Sequence, residues 1–172
     1  MDFNPESNEW YTPREWVNAA RELFGGTIDL DPASHPAANA IVKAAMFYTP
    51  REDGTIRRWH GRVWCNPPYS TALVRSFALK AQDEYERGTA VEVLLLVNNA
   101  TDTAWFVRLA ERYPVMLSRG RVRFWRIVNG VATEGKANRQ GQAIFYMGPN
   151  VHKFKLCFNG LAYTPNGWPV LS

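Results

Sequence analysis

Residues 66–69 read Asn-Pro-Pro-Tyr and follow directly on Arg62-Val63-Trp64-Cys65, a stretch with the character of a buried strand. Pro67 and Pro68 lack N–H groups and fix their own φ, so they neither continue a ladder nor relax into a free loop. They make a stiff shelf at the strand's exit that holds Asn66 and Tyr69 in fixed directions. The chemistry that suits such a shelf is activation of a conjugated amine. The lone pair of an exocyclic nucleobase nitrogen is delocalised into the ring, and acceptors placed on its two hydrogens draw it towards a tetrahedral, nucleophilic nitrogen. The side-chain oxygen of Asn66 and the carbonyl of Pro67 are the candidate acceptors, and Tyr69 can stack on a flat ring. No general base is needed before attack, because the proton becomes acidic once the nitrogen is alkylated. Asn and Pro are also ordinary turn residues, so the tetrapeptide by itself fits a plain strand-ending turn equally well.

The elements around this shelf alternate. Residues 12–26 predict a helix with Thr12 as N-cap, Glu15 completing a capping box, an apolar face of Trp16, Ala19, Ala20, Leu23 and Phe24, and Gly25 as the stop. A short strand at "TIDLDP", a helix over 37–45, a strand at "MFYT" and the strand "RVWC" come next. Leu73, Val74, Phe77, Ala78, Ala81 and Tyr85 then recur at helical spacing. "VEVLLLV" is apolar apart from Glu92, as a strand buried on both faces should be. A helix from Thr101 or Asp102 turns Trp105, Phe106 and Leu109 inward. The remainder reads as β-rich: "VMLS", "RVRFWRIV", a turn at Asn129-Gly130, "QAIFYMG" and "FKLCF". Strands alternating with helices imply a three-layer α/β sandwich. Ligands of open α/β sheets bind beyond the carboxyl ends of the strands, and three polar clusters lie there: "DLDPAS", "CNPPYS" and "VNNATD".

Composition narrows the class. A chain of 172 residues, 46% hydrophobic and 21% charged, is long enough for one core, and residues 1–172 read as one domain with no linker or repeat. Twenty Lys+Arg against 16 Asp+Glu permit a polyanionic partner without demanding one. Cys65 and Cys157 read as free thiols of a reducing cytosol. His35, His60 and His152 show no paired ligand spacing, so no metal site is expected. The longest apolar run is far too short to span a membrane.

Taken in order, Trp10-x-Thr12-Pro13, "LDPA" after the first strand, "DG" followed by "W-x-G-x-VW-x-NPPYS", and "T-D-T-x-WF" resemble the small phage DNA N-6-adenine-methyltransferases. The resemblance runs from Trp10 to about Phe124. It implies a Rossmann-like class I methyltransferase fold: a mostly parallel, seven-stranded sheet with one antiparallel strand near the C-terminus. It implies S-adenosyl-L-methionine as cofactor, adenine N6 in DNA as the methyl acceptor, and a phage or prophage protein in the bacterial cytoplasm. Asn66, Pro67, Pro68 and Tyr69 match the family's catalytic motif. Asp31 with Pro32 matches the acidic motif on the cofactor's side; Asp29 alternates with Asp31 along the strand and so would face the same side, one of the two serving structure. Thr12 and Pro13 match the segment against the cofactor's methionine end, and Asp53 the acid that contacts its adenine. "DPASHPAAN" departs from the pattern in lacking closely spaced glycines.

Other readings stand beside these. Asp31 could cap the following helix. Arg119, Arg121, Arg123, Lys136 and Arg139 form the basic concentrations of the β-rich half; beside a base-modifying motif they are candidates for phosphate contact, and otherwise a solvated face. Enzymes that methylate a glutamine side chain in protein release factors also use Asn-Pro-Pro-Tyr, but carry a glycine-rich first motif and a separate substrate domain. A non-catalytic nucleic-acid-binding module is the third possibility.

Overall fold

The computed structural model describes residues 11–128, 131–135 and 139–166. Chain order is α1 (Arg14–Leu23), β1 (Leu30–Asp31), α2 (Pro36–Val42), β2 (Met46–Phe47), β3 (Gly61–Cys65), α3 (Thr71–Glu86), β4 (Ala90–Asn98), α4 (Ala104–Ala110), β5 (Val115–Ser118), β6 (Trp125–Val128), β7 (Val131–Glu134), β8 (Gln142–Met147), α5 (Val151–Phe158) and β9 (Ala162–Tyr163). Seven strands form one sheet in the order β2-β1-β3-β4-β8-β5-β9, and β6 pairs with β7 in a separate hairpin. The turn expected at Asn129-Gly130 lies outside the described residues.

β2, β1, β3 and β4 are mutually parallel, while β8 runs antiparallel to both β4 and β5. The three-layer, mostly parallel α/β architecture expected from the sequence is the one observed. It carries a second antiparallel strand, however: β9 pairs antiparallel with β5 at the sheet's edge.

Period-two alternation splits the core between the two faces. Val93, Leu95 and Val97 of β4 and Ala143, Phe145 and Met147 of β8 pack under α3 and α4, with Val74, Phe77, Trp105 and Phe106. Leu94, Leu96, Ile144 and Tyr146 point the other way, onto Trp16, Ala20 and Leu23 of α1 and Phe154 and Phe158 of α5. From Val93 to Val97 β4 is apolar without interruption because both its faces are covered there.

Two local expectations are corrected. "FKLCF" is helix α5, not a strand. Phe154 and Phe158, four apart and fully buried, face the sheet, and the ring of Tyr146 stacks on Phe154 at 5.2 Å. The Tyr146 hydroxyl accepts the Asn150 N–H at 3.1 Å, at the helix's entry, and donates to the buried Glu92 carboxylate. This anchoring is long-range and outweighs the alternation of a five-residue string. Thr12, in turn, makes no cap: α1 starts after Pro13 with no side-chain capping bond. Its hydroxyl is engaged elsewhere.

Strand order reverses between β1 and β3, because the chain goes from β1 out to the edge strand β2 and returns to β3 on the other side. A crevice therefore opens beyond the carboxyl ends of β1 and β3. Asp31 ends the first of these strands and Asn66 follows the second.

Candidate active site

A cavity of about 690 Å³ occupies that crevice. Thr12, Asp31, Pro32, Asp53, Asn66, Pro67, Pro68 and Tyr69 all line it, so the structure gathers most of the residues singled out in the sequence around one space. Pro13 and Asp29 are not among the lining residues. Pro13 sits at the start of α1, its carbonyl accepting the Trp16 N–H at 3.1 Å. The Asp29 carboxylate accepts the backbone N–H of Arg62 at 2.8 Å and ties the entry of β3 to β1. Gly61 permits this contact. It adopts φ 64°, and a Cβ there would lie 2.4 Å from Asp29 Oδ2.

The proline shelf fixes Asn66 from both ends of its amide. Asn66 Nδ2 donates to Thr12 Oγ1 at 3.0 Å, and the Tyr69 hydroxyl donates to Asn66 Oδ1 at 2.8 Å. The Tyr69 ring meets Phe124 edge-on, with centroids 5.9 Å apart. Burial keeps the Tyr69 phenol protonated, with its pKa raised well above the ordinary value. It therefore stays a donor to the amide oxygen, which has a second lone pair to offer.

At the other side of the cavity Asp31 is buried, 3% exposed, and accepts the Ala33 N–H at 3.2 Å. Burial raises its pKa to about 7, opposed by that N–H and by the neighbouring Ser34 hydroxyl. Burial also pushes the adjacent Cys65 thiol up, with the Asp31 charge adding to the effect. Ser34 and Trp64 also line the cavity; the Ser34 hydroxyl lies beside the Asp31 carboxyl, and the buried Trp64 Nε1 has no hydrogen-bond partner. Orphaned polar atoms of this kind are uncommon and mark places where a ligand or water completes the bonding.

The loop carrying Asp53 closes against the Asp31 turn. Asp53 sits at φ 56°, its carboxylate held by the Thr55 hydroxyl at 2.6 Å and N–H at 3.0 Å, which keeps its pKa below the usual range. Gly54 packs on the Pro32 carbonyl so closely that a Cβ would stand 1.9 Å from the oxygen. The Gly54 carbonyl accepts the indole N–H of the fully buried Trp59 at 2.8 Å. The spacing "DG" then "W-x-G" is thus the local architecture of this wall.

Tyr11, His35, Tyr48, Trp64, Leu73 and Phe124 also line the cavity and were not singled out as site residues from sequence. Phe124 carried a signal: Val122 and Phe124 are buried and alternate with exposed Arg121 and Arg123. The basic candidates cluster on that same segment and its partner loop. Arg121 Nη1 donates to the Arg139 carbonyl, and Arg123 Nε lies 3.8 Å from the Glu134 carboxylate. Arg119 is turned to the sheet edge, donating to the Asn159 carbonyl at 2.9 Å, its guanidinium 5.7 Å from the centre of the Tyr163 ring. Lys136 lies outside the described residues.

The family model for DNA N-6-adenine-methyltransferases (Dam) matches residues 3–159. The chain belongs to that family. Among solved structures, a crystal structure from Pyrococcus horikoshii described as a "putative RNA methyltransferase" is 15% identical, with a TM-score of 0.46 over 81% of this chain and 92% of that one. No curated protein matches. Among the described residues no helix is long and apolar enough to cross a membrane.

Proposed function

We propose that this member of the Dam family transfers a methyl group from S-adenosyl-L-methionine to N6 of an adenine in DNA, the base entering the cavity at Asn66–Tyr69. The observation that carries the reading is that the proline shelf and the buried Asp31 corner open into one space. At about 690 Å³, it falls within the roughly 300–1,000 Å³ of ligand pockets.

The residues present fit the cofactor. Asp31, Ser34 and Trp64 offer a buried carboxyl, a hydroxyl and an indole N–H, the last without another partner, and Ile41, Val42 and Pro50 supply apolar wall. Bound there, the cofactor supplies an electrophilic methyl group. The chain's own part is to present the amine. Asn66 Oδ1 and the Pro67 carbonyl accept its two hydrogens, localising the lone pair, and the Tyr69 ring holds the plane of the flipped base. The nitrogen sheds a proton after alkylation, so no strong base is required. In this reading exposed Arg121, Arg123 and Arg139 contact phosphate, together with Arg119 and with Lys136, which the sequence singled out.

The test is incubation with labelled S-adenosyl-L-methionine and mixed-sequence DNA, followed by nucleoside analysis. Label is expected in N6-methyladenine. Label only in N4-methylcytosine or in protein overturns the reading. Asn66→Ala should reduce turnover on the order of a hundredfold or more while S-adenosylhomocysteine still binds.

A further inference from the structure

Thr12 and Asn66 meet across 54 positions of sequence, and the contact is inside the cavity wall. Thr12 is 5% exposed, so no solvent competes for its hydroxyl. A carboxamide can sit in two orientations related by a half-turn, and these are chemically opposite. One presents the oxygen to a neighbour and the other the NH2 group. A substrate amine brings hydrogens, so only the first orientation gives it an acceptor; the second sets donor against donor.

Resting on the proposed reaction, we infer that Thr12 is a positioning residue that anchors the Nδ2 end of the Asn66 amide and so holds Oδ1 in place for the substrate amine. With Thr12 Oγ1 accepting from Nδ2 at 3.0 Å, Oδ1 is directed to the Tyr69 hydroxyl, 2.8 Å away, and keeps a lone pair for the substrate. Tyr69 alone would hold the amide at one end only. Both hydroxyls can accept as well as donate, and what the pair fixes is the place of the amide, held at its two ends. If Thr12 offers no hydroxyl, Nδ2 loses its partner and the amide is free to turn its NH2 group to the remaining oxygen, that of Tyr69. The amide then confronts the substrate amine with N–H. This role belongs to Thr12 as part of the amine-activating apparatus, distinct from any contact with the cofactor.

The experiment is steady-state kinetics on Thr12→Val and Thr12→Ser, with calorimetric binding of S-adenosylhomocysteine and the NMR signals of the Asn66 side-chain amide. Thr12→Val keeps shape and removes the acceptor. Its kcat should fall about ten- to a hundredfold with KM for DNA and S-adenosylhomocysteine affinity little changed, and the Asn66 NH2 resonances should shift. Thr12→Ser should restore both kcat and the resonances. Should Thr12→Val not fold, Thr12→Ala carries the same expectation. A fully active Thr12→Val beside an inactive Asn66→Ala overturns the Thr12 assignment alone. Parallel loss of kcat and S-adenosylhomocysteine binding also overturns it, since Thr12 would then be holding the cofactor. A fully active Asn66→Ala overturns the proposed function itself.

Discussion

Asp31 offers a perturbation whose size can be worked out. Its carboxyl is raised from an ordinary 3.8 to about 7 in the folded protein. A raised pKa means that folding favours the protonated form. The resulting stabilisation is fully present below pH 3.8 and is lost as pH rises through 7. At about 1.4 kcal/mol per pKa unit the whole span is about 4 kcal/mol, of which more than half falls between pH 5 and pH 8. Asp31→Asn keeps the shape and removes the titration. Urea unfolding of both proteins at pH 5, 6, 7 and 8 should show the variant gaining on the wild type by roughly 2–3 kcal/mol across that range, or about 5–10 °C in Tm. A ligand that hydrogen-bonds to the carboxylate draws the pKa back down, so S-adenosylhomocysteine should bind wild type more tightly at pH 8 than at pH 6 and Asp31→Asn without that dependence. Parallel stability profiles for the two proteins would refute the assignment of a desolvated acid at the end of β1.

Gly54→Ala puts a Cβ against the Pro32 carbonyl, 1.9 Å from its oxygen; a loss of about 1–3 kcal/mol and weaker S-adenosylhomocysteine binding are expected, measured by thermal melts and calorimetry. Arg121→Ala should weaken binding to DNA of all sequences alike and make its salt dependence shallower. An unchanged salt slope in this variant, and in the Lys136/Arg139 double alanine variant, would place the DNA face elsewhere.

What could be read from sequence follows the range of the forces involved. β4 and the face of α3 were legible because burial repeats at short period: continuous in the strand, three-to-four in the helix. The short "FKLCF" segment was not, because five residues fit either period and the deciding contacts, Tyr146 with Phe154 and with Asn150, come from across the fold. β9, two residues long, has no pattern to detect. In the site, Asn66 to Tyr69 announced themselves by type and order, and Asp31 by its place at a strand end. The sequence reading left Asp29 beside Asp31, since a strand puts alternate residues on one face; the N–H of Arg62 that engages Asp29 is supplied from β3. Thr12 illustrates the limit most directly. Ser and Thr before a helix usually cap it, and here the Thr hydroxyl serves an amide far along the chain.

The backbone bridge between Tyr11 and Trp125 has a consequence for how the molecule is made. It joins the start of the described chain to hairpin β6–β7, and Tyr11 and Phe124 beside it both face the cavity. Closing a loop across most of a chain costs entropy that nearer contacts do not. During synthesis, Tyr11 and Thr12 emerge early and must wait for the segment around Trp125. The β1–β3–β4 layer can form first, and the pocket is finished by its two sequence-distant walls. A working pocket therefore needs the segment around Trp125 as well as the parallel strands, and a chain stopping short of it would lack one wall of the site.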